Sequence, residues 1–208
     1  MLTIYGRKNS SNVQKVLWCC DEIGVAYNRI DMGREFGGNR EAPYLAKNPN
    51  GTVPTIVEDD GFTLWESNAI IRYLGRKYGP AGFVPSDPRA MGIADQWMDW
   101  QVNSLHTAFA PLFHALVRDA PEHRKPEAIE KARAETERHL MMLDRHLQGS
   151  RFVAGDAFSV ADIPVGIYAY RWPQFEGITR APLPALERWY GELQTRAPFR
   201  KHVMVGLA

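Results

Sequence analysis

Apolar residues in this chain follow two regimes. As far as Tyr78, short strand-like runs alternate with helical stripes, and beyond Pro88 only helical spacing remains. Leu2 to Tyr5 reads as a strand. Val13, Val16, Leu17 and Cys20 then recur at i, i+3, i+4 and i+7, the face of a helix. Val25 to Ile30 suits a second strand and Glu41 to Lys47 a short helix. Val53 to Val57 and Phe62 to Leu64 flank the turn Asp59-Asp60-Gly61 as a hairpin. Ile70, Ile71, Tyr73 and Leu74 have helical spacing again, with Ser67 expected as N-cap, Gly79 as C-cap and Pro80 as stop. This order gives an α/β domain over 1–79.

The Gly- and Pro-rich stretch 80–88 reads as a linker, and 89–208 as an all-helical bundle domain. Met98, Val102, Leu105, Phe109, Leu112 and Leu116 form one stripe. Ile129, Ala132, Thr136, Leu140, Leu143 and Leu147 form a second, closed by Gly149. Ser159 and Asp162 resemble a capping box opening a third helix, and Pro184 to Arg196 gives a fourth. No repeat or low-complexity tract is evident.

Composition narrows the function classes. With 208 residues the chain can bury a real core. Lys+Arg 25 against Asp+Glu 24 leaves a net charge of +1, which argues against nucleic acid or anionic lipid as partner. No apolar run approaches the roughly 20 residues of a membrane span, and Met1 leads directly into strand and turn, so a cytoplasmic protein is expected. The two cysteines, Cys19 and Cys20, are neighbours inside a helix and read as packing residues rather than a disulfide framework. The histidines show no metal-ligand spacing. His139 and His146 share a face with Arg138 and Arg145 that reads as solvated.

Two segments carry chemistry. Asn48-Pro49-Asn50-Gly51-Thr52-Val53-Pro54 opens a strand with proline, and with a cis Val53-Pro54 bond the N–H and C=O of Val53 would face away from the sheet, where an extended peptide can pair with them. Leu64-Trp65-Glu66-Ser67-Asn68-Ala69 leads into a helix whose free N–H groups make an anion site. Together they suit a small peptide with an acidic end. These segments, with Gly6-Arg7-Lys8-Asn9-Ser10-Ser11-Asn12-Val13-Gln14-Lys15-Val16-Leu17 near the start and Phe152-Val153-Ala154-Gly155-Asp156 followed by Ser159-Val160-Ala161-Asp162-Ile163 in the second half, resemble the cytosolic glutathione transferases. The tone is that of a bacterial serine-type member of theta, beta or nu kind. The resemblance covers nearly the whole chain and implies a thioredoxin-like first domain, a helical second domain, glutathione as co-substrate without a metal, and a homodimer.

Glutathione chemistry needs a thiolate, and a free thiol with a pKa of about 8.5 is mostly protonated at neutral pH. Lowering that value by about two units takes roughly 2.7 kcal/mol of preferential stabilisation of the anion. A hydroxyl or amide donor at a helix N-terminus can supply much of it. By resemblance the donor is Ser10, with Asn12 as an amide partner, Ser11 also open, and Tyr5 a rival read as a core-facing strand residue. The resemblance further implies that the Val53 backbone, beside Pro54, pairs with the cysteinyl part, and that Glu66 and Ser67 hold the γ-glutamyl end. Asn39 and Thr52 stand where the glycine carboxylate is met. Thr52 replaces a common lysine, for which Arg40 or Arg34 could compensate. The electrophile is expected between the domains, against Arg7, His106, Phe109, Phe113, Tyr168 and Trp172.

Two functions of different class remain. One is an enzyme joining glutathione to a small electrophile, with or without loss of halide, a variant being glutathione-dependent disulfide or peroxide reduction. The other is a binding or regulatory protein that keeps the fold without catalysis. The retained Ser10, Glu66 and Ser67 favour the enzyme.

Overall fold

Leu2 and Ile4 are buried while Thr3 and Tyr5 are half-buried, the alternation of a strand with one covered face, and Leu2–Tyr5 is β1 of a four-stranded sheet. The computed structural model describes residues 1–207. Its elements run α1 (Ser11–Glu22), β2 (Tyr27–Ile30), α2 (Ala42–Leu45), β3 (Thr55–Val57), β4 (Thr63–Trp65) and α3 (Ser67–Tyr78). The sheet order is β2-β1-β3-β4. β1 lies parallel to β2, with Ile4 opposite Arg29, and antiparallel to β3, with Ile4 opposite Ile56; β3 is antiparallel to β4. Ile4, Val13, Val16, Ile56, Ile70, Ile71 and Leu74 are all fully buried. Burying each such aliphatic side chain contributes about 1.5–3 kcal/mol.

The chain divides into two compact units, Met1–Val84 with Ala197–Val205, and Pro85–Arg196 with the last residues from Gly206. The break falls inside the expected linker. Its first part belongs to the sheet-bearing unit because Phe83 packs on Gly75 of α3, where a Cβ would stand 2.9 Å from the Phe83 ring. The bundle expected over 89–208 also gives up one helix, α9 (Ala197–His202), to that unit. The ring of Phe199 meets that of Trp18 at 4.8 Å, and Asp21 accepts from Lys201 Nζ and His202 Nε2, both at 2.7 Å.

In the helical unit α4 (Pro88–Trp100) continues through a π-helical segment, Gln101–Leu105, into α5 (His106–Phe113) and a second π segment, His114–Arg118. Each π turn takes up an extra residue, so the stripe read from sequence drifts. Met98, Leu105, Phe109 and Leu112 are buried, but Val102 is 41% exposed. The second π segment follows Pro111, which lacks the N–H an α-helix would use there.

α6 (Pro126–Gln148), α7 (Asp162–Arg171) and α8 (Pro184–Gln194) complete the unit. Asp162 accepts from the N–H of Ser159 (2.8 Å), the Ser159 hydroxyl (3.2 Å), the N–H of Val153 (2.9 Å) and Trp189 Nε1 (2.9 Å). Burial pushes its carboxyl up to about 6 even against those bonds. Ser159 and Asp162 thus bond as expected, but α7 begins at Asp162 with Ala161 at its N-cap, and the carboxylate acts as the tie between the Phe152–Gly155 turn and α8. Asp144 of α6 plays a similar part, accepting from the N–H groups of Ala185 (2.8 Å) and Leu186 (2.9 Å) in the first turn of α8. His139 and His146 are not on a solvated face. His139 is 8% exposed and lies edge-on to Trp100, and His146 packs on Trp97 and meets the Val153 carbonyl at 2.9 Å.

Candidate functional site

Three loops of the sheet-bearing unit close around two glycines. Gly6 leaves β1 at φ 153° and donates to Ile30 O (2.9 Å), and Arg7 N donates to Met32 O (3.2 Å). A Cβ on Gly6 would lie 2.4 Å from Val13 Cγ2 and 3.3 Å from Val53 Cβ. Only glycine lets the start of α1 and the loop of Val53 approach there. At Gly33, with φ 82°, a Cβ would stand 3.5 Å from both Arg7 Nη1 and Val53 Cγ1 and 3.8 Å from Asn39. Arg7, Val53 and Asn39 therefore surround one point. Partial burial, and then the nearby Arg34 charge, pull the Arg7 guanidinium below its usual value, with Glu35 opposing.

The Asn-Pro-Asn-Gly turn is a scaffold for Val53. Asn48 is 1% exposed and donates to Thr52 O (2.9 Å) and Thr55 Oγ1 (3.1 Å), while its Oδ1 accepts from Asn50 N (3.1 Å). The Tyr44 hydroxyl also donates to Thr52 O, at 2.5 Å. The Val53-Pro54 bond is cis. Neither the N–H nor the C=O of Val53 has a hydrogen-bond partner among the described residues. Asn39 Nδ2 donates to Gly51 O (2.6 Å) and Arg40 to Asn50 O (3.2 Å), so both side chains expected near a carboxylate help to hold this turn. The Thr52 and Arg34 side chains are exposed.

The starts of α1 and α3 form the other side. Ser10 occupies the N-cap position of α1 and its carbonyl accepts from Gln14 N (2.8 Å), yet its hydroxyl makes no capping bond. At α3 the N-cap is Glu66, at φ 70° and ψ 109°, and Ser67 is the first helical residue rather than the expected cap. Neither helix carries an acidic residue in its first turn; the α1 end has none at its cap either, whereas Glu66 itself stands at the α3 end. Ser67 Oγ donates to Asn12 Oδ1 (3.3 Å) and so joins the two ends. Lys15, which the sequence reading passed over, reaches Ser67 Oγ (3.4 Å) and Asn68 Oδ1 (3.2 Å) from below. Lys15 lies opposite the apolar stripe of Val13, Val16, Leu17 and Cys20, so helical spacing carried no signal of its burial, which tertiary packing imposes.

Other candidates fall elsewhere. Tyr5 is half-buried with its ring edge-on to Tyr44 at 6.0 Å. Cys19 and Cys20 are fully buried, which pushes the Cys19 thiol well up and that of Cys20 to about 12. Neither is a nucleophile. In the helical unit His106 is exposed, its Nδ1 2.8 Å from the Tyr168 hydroxyl, which accepts from Gln101 Nε2 (3.0 Å). Phe109 and Phe113, expected against the electrophile, are 2% and 4% exposed and belong to that unit's core with Tyr168, Trp172 and Phe175. Long-range aromatic packing, hidden in a one-dimensional stripe, decides this. No group of three or more metal-ligating side chains occurs among the described residues.

Known proteins resemble the chain along its length. Residues 9–77 match the family described as glutathione S-transferase, N-terminal domain, and residues 103–197 the glutathione S-transferase, C-terminal domain. Glutathione S-transferase GstB of Escherichia coli (strain K12) is 40% identical over 206 residues, 99% of each chain. Among solved structures, the theta class glutathione S-transferase from the citrus canker pathogen Xanthomonas axonopodis pv. citri, with glutathione bound, superimposes with a TM-score of 0.94 at 41% identity, covering 100% of this chain and 99% of that one. Glutathione transferase URE2P6 from Phanerochaete chrysosporium, in complex with oxidized glutathione, gives 0.83 at 28% identity, over 96% and 93%.

Proposed function

The chain belongs to the glutathione S-transferase family, and we propose that it activates the thiol of glutathione for attack on a small electrophile, in conjugation or dehalogenation. The observation that carries the mechanism is the Ser10 hydroxyl, held at the positive end of α1 without a capping bond of its own. There it donates to the glutathione sulfur while the helix end favours the negative charge, and Asn12 adds an amide donor. The Val53 N–H and C=O pair with the cysteinyl backbone as an added strand would. The N–H groups at the start of α3, with Glu66 for the amine, take the γ-glutamyl end. Asn39 and Thr52 receive the glycine carboxylate, with Arg7 beside Asn39 adding positive charge. The thiolate sulfur then forms a bond to the electrophilic carbon, and the leaving group departs with the bond's electron pair. Arg7 is the polar candidate of the sheet-bearing unit for contact with the electrophile. We place the enzyme in the cytoplasm, in detoxification, as a homodimer.

Ser10→Ala is the test. Losing a charge-assisted hydrogen bond of about 1.5–3 kcal/mol lowers conjugation at neutral pH about 10- to 150-fold. The thiolate absorbance of bound glutathione moves to higher pH, and raising the pH restores part of the rate. Folding should change little, because the hydroxyl caps nothing. If both readouts stay at wild-type level while Asn12→Ala or Tyr5→Phe abolishes turnover, the donor is misassigned.

A further inference from the structure

A buried lysine lies beneath this site. Lys15 is 1% exposed, in the second turn of α1, with Nζ 3.4 Å from Ser67 Oγ and 3.2 Å from Asn68 Oδ1. An ammonium has three donors and no acceptor, so each contact dictates its partner's role. Ser67 Oγ accepts from Lys15, and its own proton goes to Asn12 Oδ1 at 3.3 Å. With Oδ1 so engaged, Nδ2 becomes the end of the Asn12 amide turned away from Ser67. The opposite rotamer would make Ser67 Oγ accept twice, strand its proton, and present the Asn12 carbonyl oxygen to a developing anion.

We propose that Lys15 is a positioning residue for thiolate activation: through the Ser67 hydroxyl it sets the Asn12 amide with its donors toward the glutathione sulfur. The same charge lies under the positive starts of α1 and α3 and reinforces both. This rests on the glutathione reading above. A bland alternative is that Lys15 only ties α1 to α3. A tie affects stability; a positioning residue also affects the acidity of a bound thiol.

Lys15→Met separates the two, since methionine is unbranched, apolar and suited to a buried slot. The full-length protein is followed by calorimetry with glutathione and by the thiolate absorbance of the bound ligand against pH. The variant should bind glutathione with the thiol pKa raised by about one unit, which makes turnover at neutral pH fall about tenfold and recover at higher pH. In an Asn12→Ala background most of that shift should vanish, because both substitutions break the same relay. A bound thiol of wild-type acidity in Lys15→Met, or a shift that adds in full to that of Asn12→Ala, overturns the proposal. Should Lys15→Met fail to fold, Ser67→Ala keeps the charge and removes the hydroxyl link; an unchanged thiol pKa there overturns it equally. A wild-type protein that binds no glutathione sinks the underlying reading instead, an outcome distinct from all of these.

Discussion

Glu66 is a non-glycine residue at φ 70°, a conformation that costs about 1–3 kcal/mol and persists where the surroundings impose it. It terminates the strand region and sets the first N–H groups of α3 toward the site. Glu66→Gly removes the strain at a smaller cost in unfolded-chain entropy, so the free protein should gain about 1 kcal/mol. Losing the carboxylate should weaken glutathione about tenfold or more. Melting curves without ligand and calorimetry with it check both halves, and undiminished affinity would detach Glu66 from the ligand. The residue also shows where sequence reading stops. Serine before an apolar helical series suggests an N-cap, yet Ser67 stands one position inside, its hydroxyl bonded to Asn12 and Lys15. Those partners lie more than fifty positions away, and no local propensity encodes them. The cis bond at Val53-Pro54 and the start of α1 after Ser10 were legible because backbone punctuation marks them: a proline opening a strand, and polar residues before a helix. His139 was misread because its neighbours are charged while the residues it meets, such as Trp100, come from another helix.

At the scale of elements, each strand and long helix of the first unit is foreshadowed by its apolar spacing, with bounds moved by a few residues. The π segments of the long helix and the return of α9 to α1 were not. The first depend on where a proline and side-chain bonds interrupt a ladder, and the second on a contact between distant parts of the chain. The pairing of Asp162 with Ser159 was foreseen, but not its part as a hub. Asp162→Ala strands buried donors on Val153, Ser159 and Trp189, and should lower stability by about 3–5 kcal/mol in urea titration. A loss under about 1 kcal/mol would mean that water replaces the carboxylate. The docking of α9 brings a pH dependence. Burial holds His202 below its ordinary 6.5 although Asp21 opposes this. Its folded pKa is therefore lower than its unfolded one, and the unfolded chain takes up the proton first as pH falls. That contribution to stability is present above about pH 6.5 and is lost below it. Asp21 acts in the same direction at lower pH: despite partial burial, its bonds to Lys201 and His202 hold it below the usual carboxylate range. His202→Gln keeps a donor for Asp21 without the titration, so it should flatten the fall of Tm from pH 6.5 to 5.5. An unaltered slope would assign the dependence to other groups.

For the whole molecule, association with a second copy is the property that neither periodicity nor motif could address, because exposure is decided only by folding. Each unit, taken by itself, leaves large apolar side chains in solvent: Phe62 and Trp65 at 42% and 37% in one, Ile93, Met141 and Met142 at 46%, 42% and 36% in the other. Single exposed apolar residues are ordinary, but Phe62 also packs tilted against Tyr73 at 5.1 Å, and Trp65 ends β4 three residues on. A net charge of +1 puts little repulsion in the way of self-association. Light scattering at micromolar concentration should accordingly give twice the chain mass of 23.6 kDa. Trp65→Lys and Met142→Lys each put a charge where a dry contact is expected, and should shift the protein toward the single-chain mass. Because a partner that binds only the folded state stabilises it by mass action, Tm should rise with protein concentration in the wild type and lose that dependence in the variants. A mass of 23.6 kDa together with a concentration-independent Tm would show that the chain works alone and that these side chains are merely exposed.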